Sequence, residues 1–119
     1  MKPPSKIKIG GHDYAVKHMR DPHFFGEAVM GLFKSNEQEI ILSNKWLEKK
    51  PTREAEVLLH EVMHGIVHHT GMLEVIDDRK QRDSLEEHIV SVMANGVIAV
   101  LKDNPAFLNY LKENTSGTS

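Results

Sequence analysis

The segment LLHEVMHGIVHHTG, from Leu58 to Gly71, contains four of the eight histidines in the chain. His60 and His64 are one helical turn apart, so on a helix both imidazoles can reach a single ion. Glu61 lies beside them, where its carboxylate can act as a general base toward a water molecule. This H-E-x-x-H pattern is typical of a catalytic zinc site. The alternative interpretation is a solvated histidine face that binds no metal.

A catalytic zinc usually has three protein ligands and a water molecule, so a third ligand must come from elsewhere. A metzincin-type continuation is absent, because Val67 and Thr70 stand where its glycine and histidine would be. The next predicted helix contains SLEEHIVSVMANGV, whose candidates are Glu86 and Glu87. Glu87 lies at the edge of the apolar face, where a metal would also meet water and substrate, and we predict Glu87. The alternative for Glu87 is a capping box with Ser84.

The elements that position these residues begin with a β region. Alternating apolar residues flank Gly10-Gly11 in KIKIGGHDYAVK, which indicates a tight hairpin. RDPHFFGE is predicted as a loop, and AVMGLFK and QEIILS as a second hairpin. The sequence therefore predicts a small N-terminal antiparallel sheet.

Helical patterns follow. Pro51-Thr52 predicts a helix start with a capping hydroxyl, and Gly71 predicts its end. A second long helix is predicted from about Ser84 to Lys102, with its apolar residues in the core, and Asn104-Pro105 begins a short final helix. The histidines outside the motif have no predicted chemical role, except that His68 is a candidate to line the cleft. We expect four aromatic residues in the core: Phe24, Phe25, Phe33 and Trp46.

The composition is that of one ordinary globular domain. The chain has 119 residues, a net charge of −2 and no cysteine, so any metal is held by nitrogen and oxygen atoms. We predict an α+β fold with one domain over residues 1–114 and a disordered tail over 115–119. Neither a basic surface nor a membrane-spanning window is apparent. We therefore expect a cytoplasmic monomer that binds neither nucleic acid nor membrane.

This order of elements resembles the small zinc peptidases of the ImmA/IrrE type, which bacteria, phages and mobile elements encode. Their second helix typically reads E-x-x-A-N-x-x-A, and the segment Glu87 to Ala94 matches it at the glutamate and the last alanine. The resemblance covers about residues 7–101. It implies a gluzincin-like (zincin-like) minimal metallopeptidase with one zinc held by His60, His64 and Glu87, with Glu61 as base. A repressor or other regulatory protein is the substrate that it suggests. Val90 and Ser91 depart from the Ala-Asn of the family pattern.

Two other functions remain open. HGIVHHTGMLE, from His64, is similar to a motif of the ribosome-associated metal-dependent endoribonucleases, with Glu74 where the last histidine belongs. The chain also fits a non-catalytic zinc-binding interaction module of phage origin. An intact Glu61 favours catalysis, because a structural zinc site does not need it.

Overall fold

The structure is a computed structural model that describes residues 2–114; the tail predicted to be disordered, 115–119, lies outside the described residues. The fold is α+β, with a small mixed sheet and several helices. The strands are β1 (Lys6–Ile9), β2 (His12–Met19), β3 (His23–Phe24), β4 (Glu27–Ala28), β5 (Gly31–Lys34) and β6 (Glu39–Ser43). The helices are α1 (Asn44–Leu47), α2 (Pro51–Thr70), α3 (Arg79–Asp103) and α4 (Pro105–Asn114).

The main sheet has the strand order β1-β2-β6-β5. Both predicted hairpins are present, β1 with β2 around Gly10-Gly11 and β5 with β6. The prediction that the sheet is antiparallel was wrong, because β2 pairs with β6 in parallel. β6 carries Ile40, Ile41 and Leu42, which are all buried, and a strand this apolar is most stable at the centre of a sheet. β5 is consequently left at the edge.

The segment predicted as a loop contains a short ribbon, in which β3 pairs with β4 around Phe25 and Gly26. Both turn residues have positive φ, 50° and 80°, as a tight hairpin turn of this kind requires. Phe24 and Phe25 are therefore 50% and 90% exposed, and Trp46 on α1 is also exposed, so the prediction that these three belong to the core was wrong. Phe33 does pack against the core.

Helix α2 lies against the sheet and carries the H-E-x-x-H motif. It begins at Pro51 with Lys50 as its N-cap and no side-chain capping bond, so the predicted hydroxyl cap at Thr52 is wrong. It ends as predicted at Gly71, whose φ of 63° is left-handed. The larger hydrophobic core lies between α2 and the sheet and includes Tyr14, Leu42 and Leu58.

Helix α3 begins earlier than predicted, at Arg79, because the side chain of Asp78 caps it by accepting a hydrogen bond from the Gln81 amide. Ser84 is therefore inside the helix, which removes the capping-box explanation for Glu87. α3 packs against α2 through a small second core of Val67, Leu73 and Val90.

The prediction that the apolar residues of α3 form core was wrong for most of them, because only Val90 and Ala94 of that helix are buried. α4 begins as predicted after Asn104, but none of its residues is buried. By length and composition alone α3 is apolar enough to cross a membrane. That finding corrects the expectation that no window of the sequence approaches a membrane span.

Candidate metal centre

The first turns of α3 lie beside the middle of α2, which brings the predicted site residues together. Oε1 of Glu87 lies 2.9 Å from Nε2 of His60. The other oxygen, Oε2, lies 3.2 Å from Nε2 of His64. Among residues 2–114, these three form the one group of histidine and acidic side chains with the spacing to hold a metal ion, with ligand atoms within 4.8 Å of one another.

The donor set fits a small divalent ion. A tetrahedral zinc with bonds of about 2.0–2.1 Å places its ligand atoms roughly 3.3 Å apart. One ligand atom from each of the three residues lies within 4.8 Å of the other two, so small side-chain movements would bring the three around one ion. Burial and the neighbouring charge of His64 lower the pKa of His60, against the opposing effect of Glu87. A lowered pKa favours the neutral imidazole that a metal requires. Two nitrogens and one oxygen form a donor set that suits zinc and other divalent first-row transition metals.

Glu86 has a different position from Glu87. Its Oε2 lies 2.8 Å from Nδ1 of His64, the other ring nitrogen. Nδ1–H can donate to this carboxylate, an arrangement that orients the ring and leaves Nε2 free to bind a metal. The two adjacent glutamates, which sequence alone could not separate, therefore contact opposite nitrogens of one imidazole.

Glu61 lies beside this group and is only 7% exposed. No hydrogen bond or ion pair joins its carboxylate to any other residue in the part of the chain that the structure describes. Burial raises the pKa of Glu61 to about 7, with Glu87 raising it further and His64 opposing the shift. Buried acidic side chains without a partner are rare in folded proteins, and such groups concentrate at functional sites.

The edge strand β5 approaches the motif through Gly31. A Cβ built on Gly31 would lie 2.7 Å from Cγ1 of Val57 and 3.0 Å from Oε2 of Glu61. Neither distance leaves room for a side chain, so glycine is what lets the strand backbone lie against the carboxylate. The sequence analysis gave Gly31 no role, because nothing in its neighbourhood marks a close approach to a helix.

Two cavities border this contact, and both are lined by Gly31, His60 and Glu61. The larger, of about 510 Å³, extends past Phe24 and Phe33 to both glutamates of α3. The smaller, of about 260 Å³, is also lined by Arg53, Glu56 and Asn95.

Arg53 and Asn95 were missed in the sequence, although helical spacing could have indicated them. Arg53 precedes His60 by two turns of α2, and Asn95 follows Glu87 by about two turns of α3. Both residues therefore lie on the sides of their helices that carry the metal-site residues.

The remaining histidines contact other side chains. His69 Nε2 lies 2.6 Å from the hydroxyl of buried Tyr14, and its ring stacks on that of His12, so His69 packs against the sheet. His68 is exposed and lies between Phe33 and His69. It does not line either cavity beside the motif.

Glu74, the residue that an endoribonuclease-like site would use, is not part of the histidine–glutamate group. Its carboxylate instead lies close to Gly71. No family model, curated protein or solved structure matches the chain.

Proposed function

We propose that the protein is a zinc-dependent metallopeptidase with its active site between β5, α2 and α3. The observation that carries the proposal is Glu61, a largely buried side chain that faces the two cavities and makes no hydrogen bond to a described residue, beside a group of side chains suited to a metal. A purely structural site would satisfy or exclude such a carboxylate, because leaving it buried is costly. A general base, in contrast, benefits from a pKa near neutrality.

Each residue of the proposed site would have a separate role in catalysis. His60, His64 and Glu87 would hold zinc, and Glu86 would orient the His64 ring. When bound, zinc would supply Lewis acidity toward a carbonyl oxygen and toward the attacking water. Glu61 takes the proton from that water and delivers it to the leaving amine. Arg53 and Asn95 offer hydrogen-bond donors in the smaller cavity, where they can stabilise the developing negative charge.

A peptide is the substrate that the surroundings of Glu61 favour. Among the described strands, β5 pairs with β6 alone, so its other edge can accept an extended peptide as an added strand. The two cavities lie along this strand, where side chains of a bound peptide would enter. A regulatory protein, as the resemblance to ImmA/IrrE peptidases suggests, is the substrate class that we propose.

The test is chelator-sensitive cleavage of proteins in a cell extract by zinc-loaded protein, with products identified by mass spectrometry. We expect wild type to cut at defined peptide bonds, and Glu61→Gln to bind zinc without cutting. Equal cleavage by both proteins would overturn the role of Glu61. A protein that binds zinc through these residues but cuts nothing would favour the non-catalytic binding module.

A further inference from the structure

A large apolar surface in the C-terminal third of the chain takes no part in the proposed site. It lies on α3 and α4, where seven large apolar side chains are each at least 37% exposed. They are Leu85, Val92, Met93, Val100, Phe107, Leu108 and Tyr110. This set is called the α3–α4 surface below.

The sequence of α3 explains why part of its apolar surface remains exposed. No Asp, Glu, Lys or Arg occurs between His88 and Lys102, so this part of the helix is uncharged on every side. Helices that are apolar all round are normally covered all round. Here Val67 of α2 and Leu73 of the linker after it cover Val90, and Ala94 is also buried, whereas Val92 and Val100 remain about half exposed.

The exposed side of α3 has the spacing of a helix-pairing seam. Leu85, Ile89, Val92, Gly96 and Ala99 follow one another at intervals of four, three, four and three residues. Four of them are exposed, and Ile89 is partly buried because it also packs against the core of Val67, Leu73 and Val90. That interval keeps side chains on one stripe and is the pattern by which two helices interlock. A Cβ built on Gly96 meets no atom within 4 Å, so a second helix can approach closely there.

We infer that the α3–α4 surface is the interface of a symmetric homodimer of this chain. The seven exposed fractions amount to roughly 700 Å² of surface per chain, taking ~200 Å² for a large side chain. A standard interface buries ~800 Å² per partner. Because the seam carries no charge, it is complementary to itself, which an isologous two-fold contact requires. The inference replaces the monomer expected from sequence.

A lipid bilayer is a less suitable partner for the α3–α4 surface than a second copy of the chain. The uncharged part of α3 is roughly 20 Å long at 1.5 Å per residue, and a bilayer core is ~30 Å thick. A membrane-spanning segment that also included the N-terminal part of α3 would bury Glu86 and Glu87 in lipid. Both residues contact His64 and belong to a proposed site that needs water. A second copy covers the apolar residues while leaving those two carboxylates in solvent.

The test is sedimentation velocity of the full chain at micromolar concentration, with Val92→Glu as the disrupting variant. Val75→Glu is the matched control, because Val75 is 87% exposed and lies on the linker between α2 and α3. We expect wild type and Val75→Glu to sediment as dimers. Val92→Glu should weaken the dimer at least about 30-fold, as loss of a central contact does. Monomeric wild type would overturn the inference, and so would equal weakening by both variants.

A second measurement does not depend on disrupting the fold. The chain has no cysteine, so Val92→Cys introduces a single thiol at the middle of the seam, where it meets its own counterpart across a two-fold axis. Under mild oxidation we expect efficient disulfide-linked dimers from Val92→Cys and far fewer from Val75→Cys. Equal yields from the two would contradict the inference. Monomeric wild type that pellets with phosphatidylglycerol vesicles would assign the surface to a membrane instead.

Discussion

The carboxylate of Glu86 lies 2.8 Å from Nδ1 of His64. The Nε2 atom of the same ring lies 3.2 Å from Glu87 instead. One imidazole therefore separates two adjacent glutamates into different roles. In the proposed zinc site, Glu87 would bind the ion directly and Glu86 would orient one of its ligands.

The two roles predict different losses of zinc affinity. Glu87→Ala should weaken zinc binding by more than the ~10–100-fold that loss of an orienting partner costs, and Glu86→Ala should fall within that range. Titration with a competing chelator measures both constants. Glu74→Ala is the control and should bind zinc like wild type. The assignment fails if Glu86→Ala is the more damaging change, and a loss of zinc confined to Glu74→Ala would favour the endoribonuclease-like site.

Metal binding and catalysis should separate at Glu61. Glu61→Gln should retain one zinc per chain, because Glu61 is not among the three clustered residues, yet it should reduce the rate of peptide cleavage at least ~100-fold. His64→Ala should lose zinc and activity together. Metal content by mass spectrometry and cleavage of one identified substrate check both statements. Loss of zinc from Glu61→Gln would place Glu61 among the ligands.

The raised pKa of Glu61 predicts how the stability of the metal-free protein depends on pH. Because the folded-state pKa is about 7 instead of 4.5, the folded state retains a proton that the unfolded chain loses between those values. Stability therefore falls as pH rises from about 4.5 through 7, by on the order of 3 kcal/mol. Glu61→Gln removes this contribution.

Urea unfolding of wild type and Glu61→Gln, both metal-free, measures the effect. The difference between the two should grow in favour of Glu61→Gln from pH 5 to pH 8. His60 has a lowered pKa, so its own contribution has the opposite sign and is lost as pH falls. That contribution is common to both proteins and largely cancels in the difference. A difference that does not change with pH would contradict the raised pKa of Glu61.

The close contact at Gly31 predicts that replacing this glycine by a larger residue destabilises the protein. Gly31→Ala places a methyl group against Val57 and Glu61, and such overpacking costs about 1–3 kcal/mol. It should also reduce cleavage, because the carboxylate of Glu61 must move. Val57→Ala makes room for the methyl group, so the double variant should be more stable than the sum of the two single changes. Strict additivity in urea unfolding would argue against the contact.

The part of the site on α2 was readable from sequence because helical spacing is local. His60, Glu61 and His64 lie within two turns of one helix, and Gly71 marks where that helix ends. The choice between Glu86 and Glu87 depends on how α3 is rotated against α2. That rotation is set by contacts such as Val67 with Val90, which no local pattern specifies.

Sheet topology was harder to predict for a related reason. Each hairpin was visible from its turn, but the parallel pairing of β2 with β6 joins strands from different hairpins. The burial of two aromatic residues was predicted wrongly because a local turn, which composition does not reveal, decides their exposure. Phe24 and Phe25 have the composition of core residues, yet the positive φ at Phe25 and Gly26 turns the ribbon so that both rings are largely in solvent.

The small core of Val67, Leu73 and Val90 has a consequence for the order in which the protein opens. The sheet and α2 share the larger core, whereas α3 contacts α2 through this smaller core and through the histidine–glutamate contacts of the site. An ion shared by His64 and Glu87 would act as a cross-link that closes the chain between the two helices. Without it, α3 and α4 form the least protected unit of the molecule, and their amide hydrogens should exchange with solvent well before those of β6. A metal bound at the proposed site would therefore stabilise the attachment of α3 and α4 in addition to its proposed role in catalysis.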